Sequence, residues 1–87
     1  LGFYVAENTK HIAKELRIDK STGVVVTEVE KQFKKYNVIP GDIILQADQK
    51  PINTTDDLNK IINSTEKESI LLLINRRGEN IFSVVKR

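Results

Sequence analysis

The apolar residues of this chain fall in short runs, each no longer than one β-strand. The longest run covers residues 70–74, and residues 24–29 are almost entirely β-branched, which is typical of a strand. A membrane-spanning helix needs about 18 apolar residues in a row, so runs of this length predict no membrane insertion. Short strands with only two or three helical stretches between them also exclude a doubly wound parallel sheet.

Turn and cap signals divide the 87 residues into an ordered series of elements within one domain. Strands are expected at residues 1–6, 24–29, 42–46, 69–75 and 81–86, a short extended stretch at 51–52, and helices at 10–17, 31–36 and 55–64. This order predicts the α+β class: a small, partly open β-barrel or sandwich of five to six strands, capped by two to three helices. The domain covers residues 1–87 and is expected to be a fragment of a longer protein.

Several boundaries carry a specific physical signal. Pro40-Gly41-Asp42 predicts a turn, because Pro presets its own φ and Gly adopts angles that other residues avoid. Asn37 follows the stretch at 31–36, and Asn tolerates the left-handed conformation that often ends a helix. Thr54 is a candidate N-cap, with Asp57 three residues later near the positive end of the helix.

The apolar pattern also assigns residues to the core. Leu58 and Ile61 share one face of the helix at 55–64 and are expected to join the core. The strand at 69–75 is expected to be buried on both faces, and residues 77–80 to form a hairpin turn.

The residues needed for common catalytic and metal chemistry are sparse. There is no Cys, and His11 is the only His, so the chain offers neither a thiolate nor an evident base for a nucleophilic triad. Asp56 and Asp57 are the only adjacent acidic pair, which the dipole of a helix start explains without a metal. The four glycines are scattered singly, so no phosphate loop is indicated. These features predict a non-catalytic chain with no cofactor.

The charge pattern excludes one further class. The chain has 14 Lys and Arg against 12 Asp and Glu, a net charge of +2, and the two signs are interspersed. Nucleic-acid-binding domains usually show a basic stripe instead, so no nucleic-acid partner is expected.

One short pattern does indicate binding. Leu1-Gly2-Phe3 is an apolar-Gly-apolar step at the start of a strand, and Gly lets a ligand approach the backbone closely. If that strand lies at a sheet edge beside a helix, an extended peptide can pair with it as an added strand. The backbone N–H groups around Gly2 could then hold a free C-terminal carboxylate.

The order of these features resembles the PDZ domains of bacterial HtrA/Deg (Do-type) serine proteases. Leu1-Gly2-Phe3 is similar to the end of the family's carboxylate-binding loop, and residues 38–44, Val-Ile-Pro-Gly-Asp-Ile-Ile, to its most recognisable motif. Residues 6–18 resemble a helical insertion, residues 24–29 the next strand, and residues 51–58 the approach to the groove helix. Departures from the pattern fall in turns: Tyr36-Asn37 replaces Ala-Gly, Gln49-Lys50 replaces Asn-Gly, and Arg17 replaces a common Gly.

The resemblance implies a peptide-binding groove between residues 2–5 and the helix at 55–64. It implies the following peptide-binding residues: Leu1, Gly2, Phe3, Tyr4, Val5, Thr55, Asn59 and Ile62. Many PDZ domains place a His at the helix start to select Ser or Thr in the ligand. Thr55 stands there in this chain, so a preference for hydrophobic C-termini is expected.

The resemblance also implies a biological setting. The partners would be C-terminal or unfolded peptide segments, together with the protease domain and other subunits of a parent serine endopeptidase in the periplasm or cell envelope. The alternative is a domain that makes inter-domain or oligomer contacts rather than capturing substrate, as second PDZ domains in this family often do. The second PDZ domain of the parent is one assignment that the residues leave open.

Overall fold

The computed structural model describes residues 2–8, 23–64 and 68–86. Within these ranges the chain forms six strands, one α-helix and one 3-10 helix. Their bounds are β1 Phe3–Glu7, β2 Val24–Val29, the 3-10 helix Lys31–Phe33, β3 Ile43–Ala47, β4 Lys50–Pro51, α1 Thr55–Ser64, β5 Ser69–Arg76 and β6 Glu79–Lys86. The expected strand order is therefore present, with β1 extending one residue beyond its predicted end to include Glu7.

The six strands form one open antiparallel sheet. Its order is β1-β2-β3-β5-β6, and the two-residue β4 pairs with β3 on the side opposite β5. Among the described strands, β1 and β6 therefore lie at the two edges. The ladder between β5 and β6 is regular over eight residue pairs, whereas the register of β1 on β2 shifts between Tyr4 and Val5.

The core lies between α1 and one face of the sheet. Leu58 of α1 is 1% exposed and packs among residues of the central strands. The largest fully buried apolar residues are Ile44, Ile52, Leu58, Ile70, Leu72, Ile74, Val24, Val26, Val38 and Val85. Leu58 is thus the core residue that the sequence predicts, while Ile61 is only half-buried against the same cluster.

The prediction that β5 is buried on both faces is wrong. Ile70, Leu72 and Ile74 are fully buried, but Leu71 and Leu73, which point to the other face, are half-buried. Side chains of a strand alternate between faces, and α1 covers only the face that carries the first set.

Helix content among the described residues is lower than the two to three helices expected. The helix predicted over residues 31–36 is a 3-10 helix of three residues, Lys31–Phe33. The helix predicted at 10–17 and His11 lie outside the described residues.

Asn37 does not adopt the left-handed conformation that its residue type tolerates. The non-glycine residues with positive φ in the described ranges are Asp48, Gln49 and Arg77. Asn37 instead accepts hydrogen bonds from Arg76, through its side-chain oxygen at 3.0 Å and its backbone oxygen at 3.4 Å. The hairpin at Arg77-Gly78 and the turn at Asp48-Gln49 use the left-handed region, as two-residue hairpins require.

A buried ion pair joins the Pro-Gly-Asp turn to β5. Asp42 is 1% exposed; its Oδ1 accepts from Arg76 Nε at 2.8 Å and its Oδ2 from Arg76 Nη2 at 2.8 Å. Oδ2 also accepts the backbone N–H of Ile39 at 2.9 Å. The hydrogen bonds to Asp42 raise the pKa of Arg76 further above its ordinary value. The pair holds the turn against the sheet, because a bidentate contact fixes both partners in orientation.

Candidate peptide-binding site

The backbone of β1 presents polar groups to the free edge of the sheet. The carbonyl of Gly2 accepts from Glu30 N at 2.7 Å, and the carbonyl of Tyr4 accepts from Thr27 Oγ1 at 3.2 Å, so both carbonyls point toward β2. Backbone groups of successive strand residues point in opposite directions within the sheet plane. The N–H and C=O groups of Phe3 therefore point away from β2.

The hydrogen bonds of Val26, which lies opposite Val5, show which way the backbone groups of Val5 point. Val5 lies opposite Val26. Val26 donates its N–H to Asp42 O and accepts at its carbonyl from Gly41 N, each at 2.8 Å, so its polar groups face the β3 side of the sheet. The N–H and C=O groups of Val5 accordingly face the free edge, as do those of Phe3.

Gly2 is required by packing within the chain. A Cβ on Gly2 would lie 2.7 Å from Cβ of Phe33, closer than real carbon atoms approach. The ring of Phe33 also packs against Phe3 and Tyr36, with centroids 5.3 and 4.7 Å apart. The sequence assigns this glycine to the approach of a ligand, and the structure adds an approach by Phe33 that explains it independently.

The side chains of β1 divide between its two faces. Phe3 is 8% exposed and Val5 is half-buried against the core, so both point to the α1 side. Tyr4 is 52% exposed on the opposite face, where its hydroxyl donates to Glu30 Oε1 at 2.9 Å. That hydrogen bond and the charge of Glu30 raise the pKa of Tyr4. The side chain of Tyr4 is thus on the face away from α1, unlike those of Phe3 and Val5.

The start of α1 has the predicted cap. Thr54 Oγ1 accepts from Asp57 N at 3.1 Å, while Asp57 Oδ2 accepts from Thr54 N at 3.2 Å and from Asn53 N at 3.0 Å. The bond from the Asn53 N–H is the main cause that lowers the pKa of Asp57. This reciprocal cap stabilises the first turn of the helix that lies beside β1.

Glu7 fastens α1 to the end of β1, and the sequence does not single it out. Its Oε1 accepts both from Thr55 N at 2.9 Å and from Thr55 Oγ1 at 2.8 Å. Glu7 follows an apolar strand and is exposed, so its residue type carries no local signal of this role. The contact sets the start of α1 against the C-terminal end of β1.

The predicted groove residues are therefore only partly brought together. Thr55 meets the end of β1 through Glu7, and Ile62 and Val5 pack half-buried against the core cluster that includes Phe3. Asn59 is exposed and also borders a shallow depression with Lys50 on the outer side of α1. Leu1 lies outside the described residues.

The described residues offer neither a metal site nor a membrane-spanning helix. Within the described ranges, no group of three or more His, Cys, Asp or Glu side chains is placed to hold a metal ion. No helix in the same part of the chain has the length and hydropathy that crossing a bilayer requires.

Comparison with known sequences identifies a family. A family model described as "PDZ domain" matches residues 1–84. Two curated relatives, from Chlamydia muridarum and Chlamydia trachomatis, are each named "Probable periplasmic serine endoprotease DegP-like" and are 30% and 27% identical to this chain. The alignments cover 98% and 99% of this chain but 18% of each relative, so the chain spans about a fifth of their length.

Solved structures share the fold. The PDZ domain of HtrA3, bound to a phage-derived ligand with the sequence FGRWV, superposes with a TM-score of 0.85 at 19% identity, covering 99% of this chain and 81% of that one. The HtrA-type protease AlgW with a decapeptide gives a TM-score of 0.84 at 22% identity, covering 99% of this chain and 27% of that one. The chain belongs to the PDZ domain family, a family of non-catalytic modules, and its relatives confirm the resemblance to the PDZ domains of HtrA-type proteases.

Proposed function

We propose that this PDZ domain binds C-terminal or unfolded peptide segments by adding them as an extra strand to β1, in the groove beside α1. One observation carries the proposal: the N–H and C=O groups of Phe3 and Val5 point to an edge that no described strand occupies. An extended peptide satisfies such groups by pairing with them, and α1 provides a second wall. The affinity expected for one short added strand is micromolar, about −8 kcal/mol.

The groove favours hydrophobic C-termini. Val5 and Ile62 are half-buried apolar residues packed against the core cluster that contains Phe3, and Leu1 precedes them in sequence. Thr55 at the start of α1 has no imidazole with which to select Ser or Thr. The ligand held by HtrA3 ends in Val, which is consistent with this preference. Gly2 lies at the end of the groove where the ligand carboxylate would sit.

The whole protein is proposed to be a periplasmic serine endoprotease of the DegP-like kind, in which residues 1–87 form one PDZ domain. The names and the partial coverage of the curated relatives support this setting. The domain would then deliver peptide segments to the protease domain of the same polypeptide or of a neighbouring subunit.

An NMR titration tests the binding mode. A pentapeptide that ends in Val with a free carboxylate is expected to shift the backbone amides of residues 2–5 and 59–62 in the full 87-residue chain. The same peptide with an amidated C-terminus is the control and should bind more weakly. Absence of shifts in both segments at millimolar peptide would refute the proposal.

A matched pair of substitutions isolates the backbone contribution. Val5→Ala shortens the side chain but keeps the N–H that faces the free edge, whereas Val5→Pro removes that N–H. Pro is tolerated on an edge strand where its missing N–H faces solvent, so the fold should survive. We expect Val5→Pro to bind the peptide at least about tenfold more weakly than Val5→Ala, the equivalent of one good hydrogen bond. Equal affinities would argue against strand addition.

A second candidate function, assembly through β6, is favoured by an exposed apolar surface. Phe82 and Val84 are 65% and 57% exposed on the outer face of β6, and they lie opposite the half-buried Leu73 and Leu71 of β5. Among the described strands β6 pairs only with β5, so its second edge is open to another copy of this chain. Long apolar edge strands commonly pair between molecules.

Sedimentation of the purified chain tests this candidate. Self-association that rises with concentration and is abolished by Phe82→Lys would support it. Ile39→Lys is the matched control, since Ile39 is 48% exposed but precedes the Pro-Gly-Asp turn and is not part of β6. A monomer at every soluble concentration would exclude assembly by this surface.

A further inference from the structure

The end of the groove farthest from Gly2 carries a carboxylate held in a fixed position. Glu7, the last residue of β1, accepts two hydrogen bonds at Oε1 from the backbone and hydroxyl of Thr55. Both bonds recorded for Glu7 within the described residues use Oε1, so Oε2 remains available to a ligand. The side chain itself is exposed.

The first turn of α1 lies beside Glu7 and holds its side chain in place through Thr55. The first turn of α1 contains Asp56 and Asp57, and the positive end of the helix dipole stabilises carboxylates there. The ion pair recorded among the described residues is that of Asp42 with Arg76, so no described Lys or Arg neutralises Glu7. A cationic ligand side chain that enters this end of the groove can therefore pair with Oε2 of Glu7.

The geometry of an added strand determines which ligand residue reaches Glu7. With its carboxylate near Gly2, the ligand runs antiparallel to β1, and its last residue lies opposite Phe3. The side chains of directly opposed residues on paired strands point to the same face of the sheet, and along one strand every second side chain points to that face. The ligand residue two positions upstream then lies opposite Val5, and the residue four positions upstream lies opposite Glu7.

We propose, resting on the strand addition proposed above, that Glu7 is a specificity-determining residue that selects Lys or Arg four positions before the last residue of the ligand. Thr55 holds the carboxylate so that Oε2 faces the incoming side chain. An opposite-charge pair across two strands is stabilising and a like-charge pair is destabilising. The domain thus binds an apolar C-terminal residue at the Gly2 end of the groove and a cationic side chain at the Glu7 end.

A peptide series that varies one position tests the inference. Acetylated pentapeptides ending in Val, with Lys, Gln or Glu as the first residue and identical otherwise, are titrated into the full chain. We expect the Lys peptide to bind about two- to fivefold more tightly than the Gln peptide, and the Glu peptide to bind most weakly. Raising the ionic strength should reduce this difference, since the pair is exposed.

Variants of Glu7 assign the preference to this residue. Glu7→Gln keeps an oxygen that can accept from Thr55 and should remove the discrimination, while Glu7→Lys should reverse it. Glu79→Gln makes the same change of charge at the far edge of the sheet and should leave the order of affinities intact. Amide dispersion in NMR spectra confirms that each variant is folded.

The outcomes separate the two proposals. If all three peptides shift residues 2–5 equally in the unmodified chain, the role of Glu7 is refuted and strand addition stands. If discrimination is present but persists in Glu7→Gln, another group selects the cation and the inference fails. If no peptide shifts these amides, the proposed function fails and the selectivity of Glu7 fails with it.

Discussion

The two edges of the sheet, β1 and β6, offer different things to a partner. On β1 the apolar side chains Phe3 and Val5 turn toward the core, so the free edge presents mainly backbone, with α1 alongside. On β6 the side chains of Phe82 and Val84 point outward from a regular ladder. The β1 edge offers backbone hydrogen-bonding groups beside α1, whereas β6 exposes an apolar face.

Under the two proposed functions, this difference separates peptide binding at β1 from self-association at β6. Backbone pairing at β1 imposes a direction and a register, and the contact of Glu7 with Thr55 sets the start of α1 against the far end of the strand. Apolar contact at Phe82 imposes neither, because the hydrophobic effect is not directional. Selective peptide binding is therefore expected at β1, and contact with another folded surface at β6.

The largest expected effect tests whether the stability of both edge strands depends on the same ion pair. Arg76→Ala leaves Asp42 as a buried charge without its partner, which should lower the free energy of unfolding by about 2–3 kcal/mol. Chemical denaturation measures the loss, and amide hydrogen exchange should show faster exchange in β1 and β6 together. Faster exchange at one edge only would mean that the edges are independent.

Arg77→Ala is the matched control for that experiment. Arg77 is exposed in the hairpin turn next to Arg76, and it already adopts a φ of 53°. Replacing one non-glycine residue by another at this angle should change the free energy of unfolding by less than about 0.5 kcal/mol.

An intermediate effect should change the β1 edge alone. Gly2→Ala places a Cβ against Phe33 and should cost about 2 kcal/mol through overpacking, with a further loss of peptide affinity as β1 shifts. Phe33→Ala removes Cγ and Cδ1, two of the three atoms that the new Cβ would meet, so the double variant should lose less stability than the sum of the two single variants. Strict additivity in denaturation, or perturbed amides in β6, would contradict the assignment of Gly2 to this contact.

The smallest expected effect concerns α1, the helix that lies beside the β1 edge. Hydrogen bonds from Asn53, first, and Thr54 lower the pKa of Asp57 in the folded chain. A lowered pKa adds stability that is present above the ordinary Asp pKa of about 4 and is lost as the pH falls through the folded value. Acid should therefore loosen the start of α1, and Asp57→Asn should show a smaller loss of stability between about pH 6 and about pH 2.

Asp56→Asn serves as the control for the acid experiment. Asp56 lies in the same turn of α1, but no hydrogen bond to it from the described residues is recorded, so the variant should retain most of the pH dependence. If both variants respond alike, the general dipole effect rather than the cap of Asp57 accounts for the acid sensitivity.

Local signals in the sequence predicted much of the fold. The β-branched run predicted β2 with its observed bounds, Val24–Val29, and Thr54 with Asp57 predicted the cap that the structure contains. These predictions succeeded because β-branching and capping depend on neighbours within a few residues. Asn37 stays outside the left-handed region that its residue type tolerates, and its oxygens accept hydrogen bonds from Arg76, 39 residues away.

The candidate site was less predictable than the fold. Phe3, Val5, Thr55 and Ile62 were selected by spacing and resemblance, and their role in binding stays a prediction. The sequence missed Glu7, because an acidic residue after a strand is ordinary on a surface and its partner Thr55 lies 48 residues away. The sequence likewise missed the packing of Phe33 against Gly2, since neither residue type indicates the other as its contact partner.

By itself the sequence determined the family and the positions of the elements, because turn residues, caps and β-branched runs act through local backbone energetics. The tertiary structure decided which strands became edges, which backbone groups were left facing outward, and which charges were paired. Asp42 with Arg76 and Glu7 with Thr55 meet only because the sheet order brings together residues 34 and 48 positions apart. Charge and size alone do not specify such partners, since any carboxylate can accept from any donor that the fold places within reach.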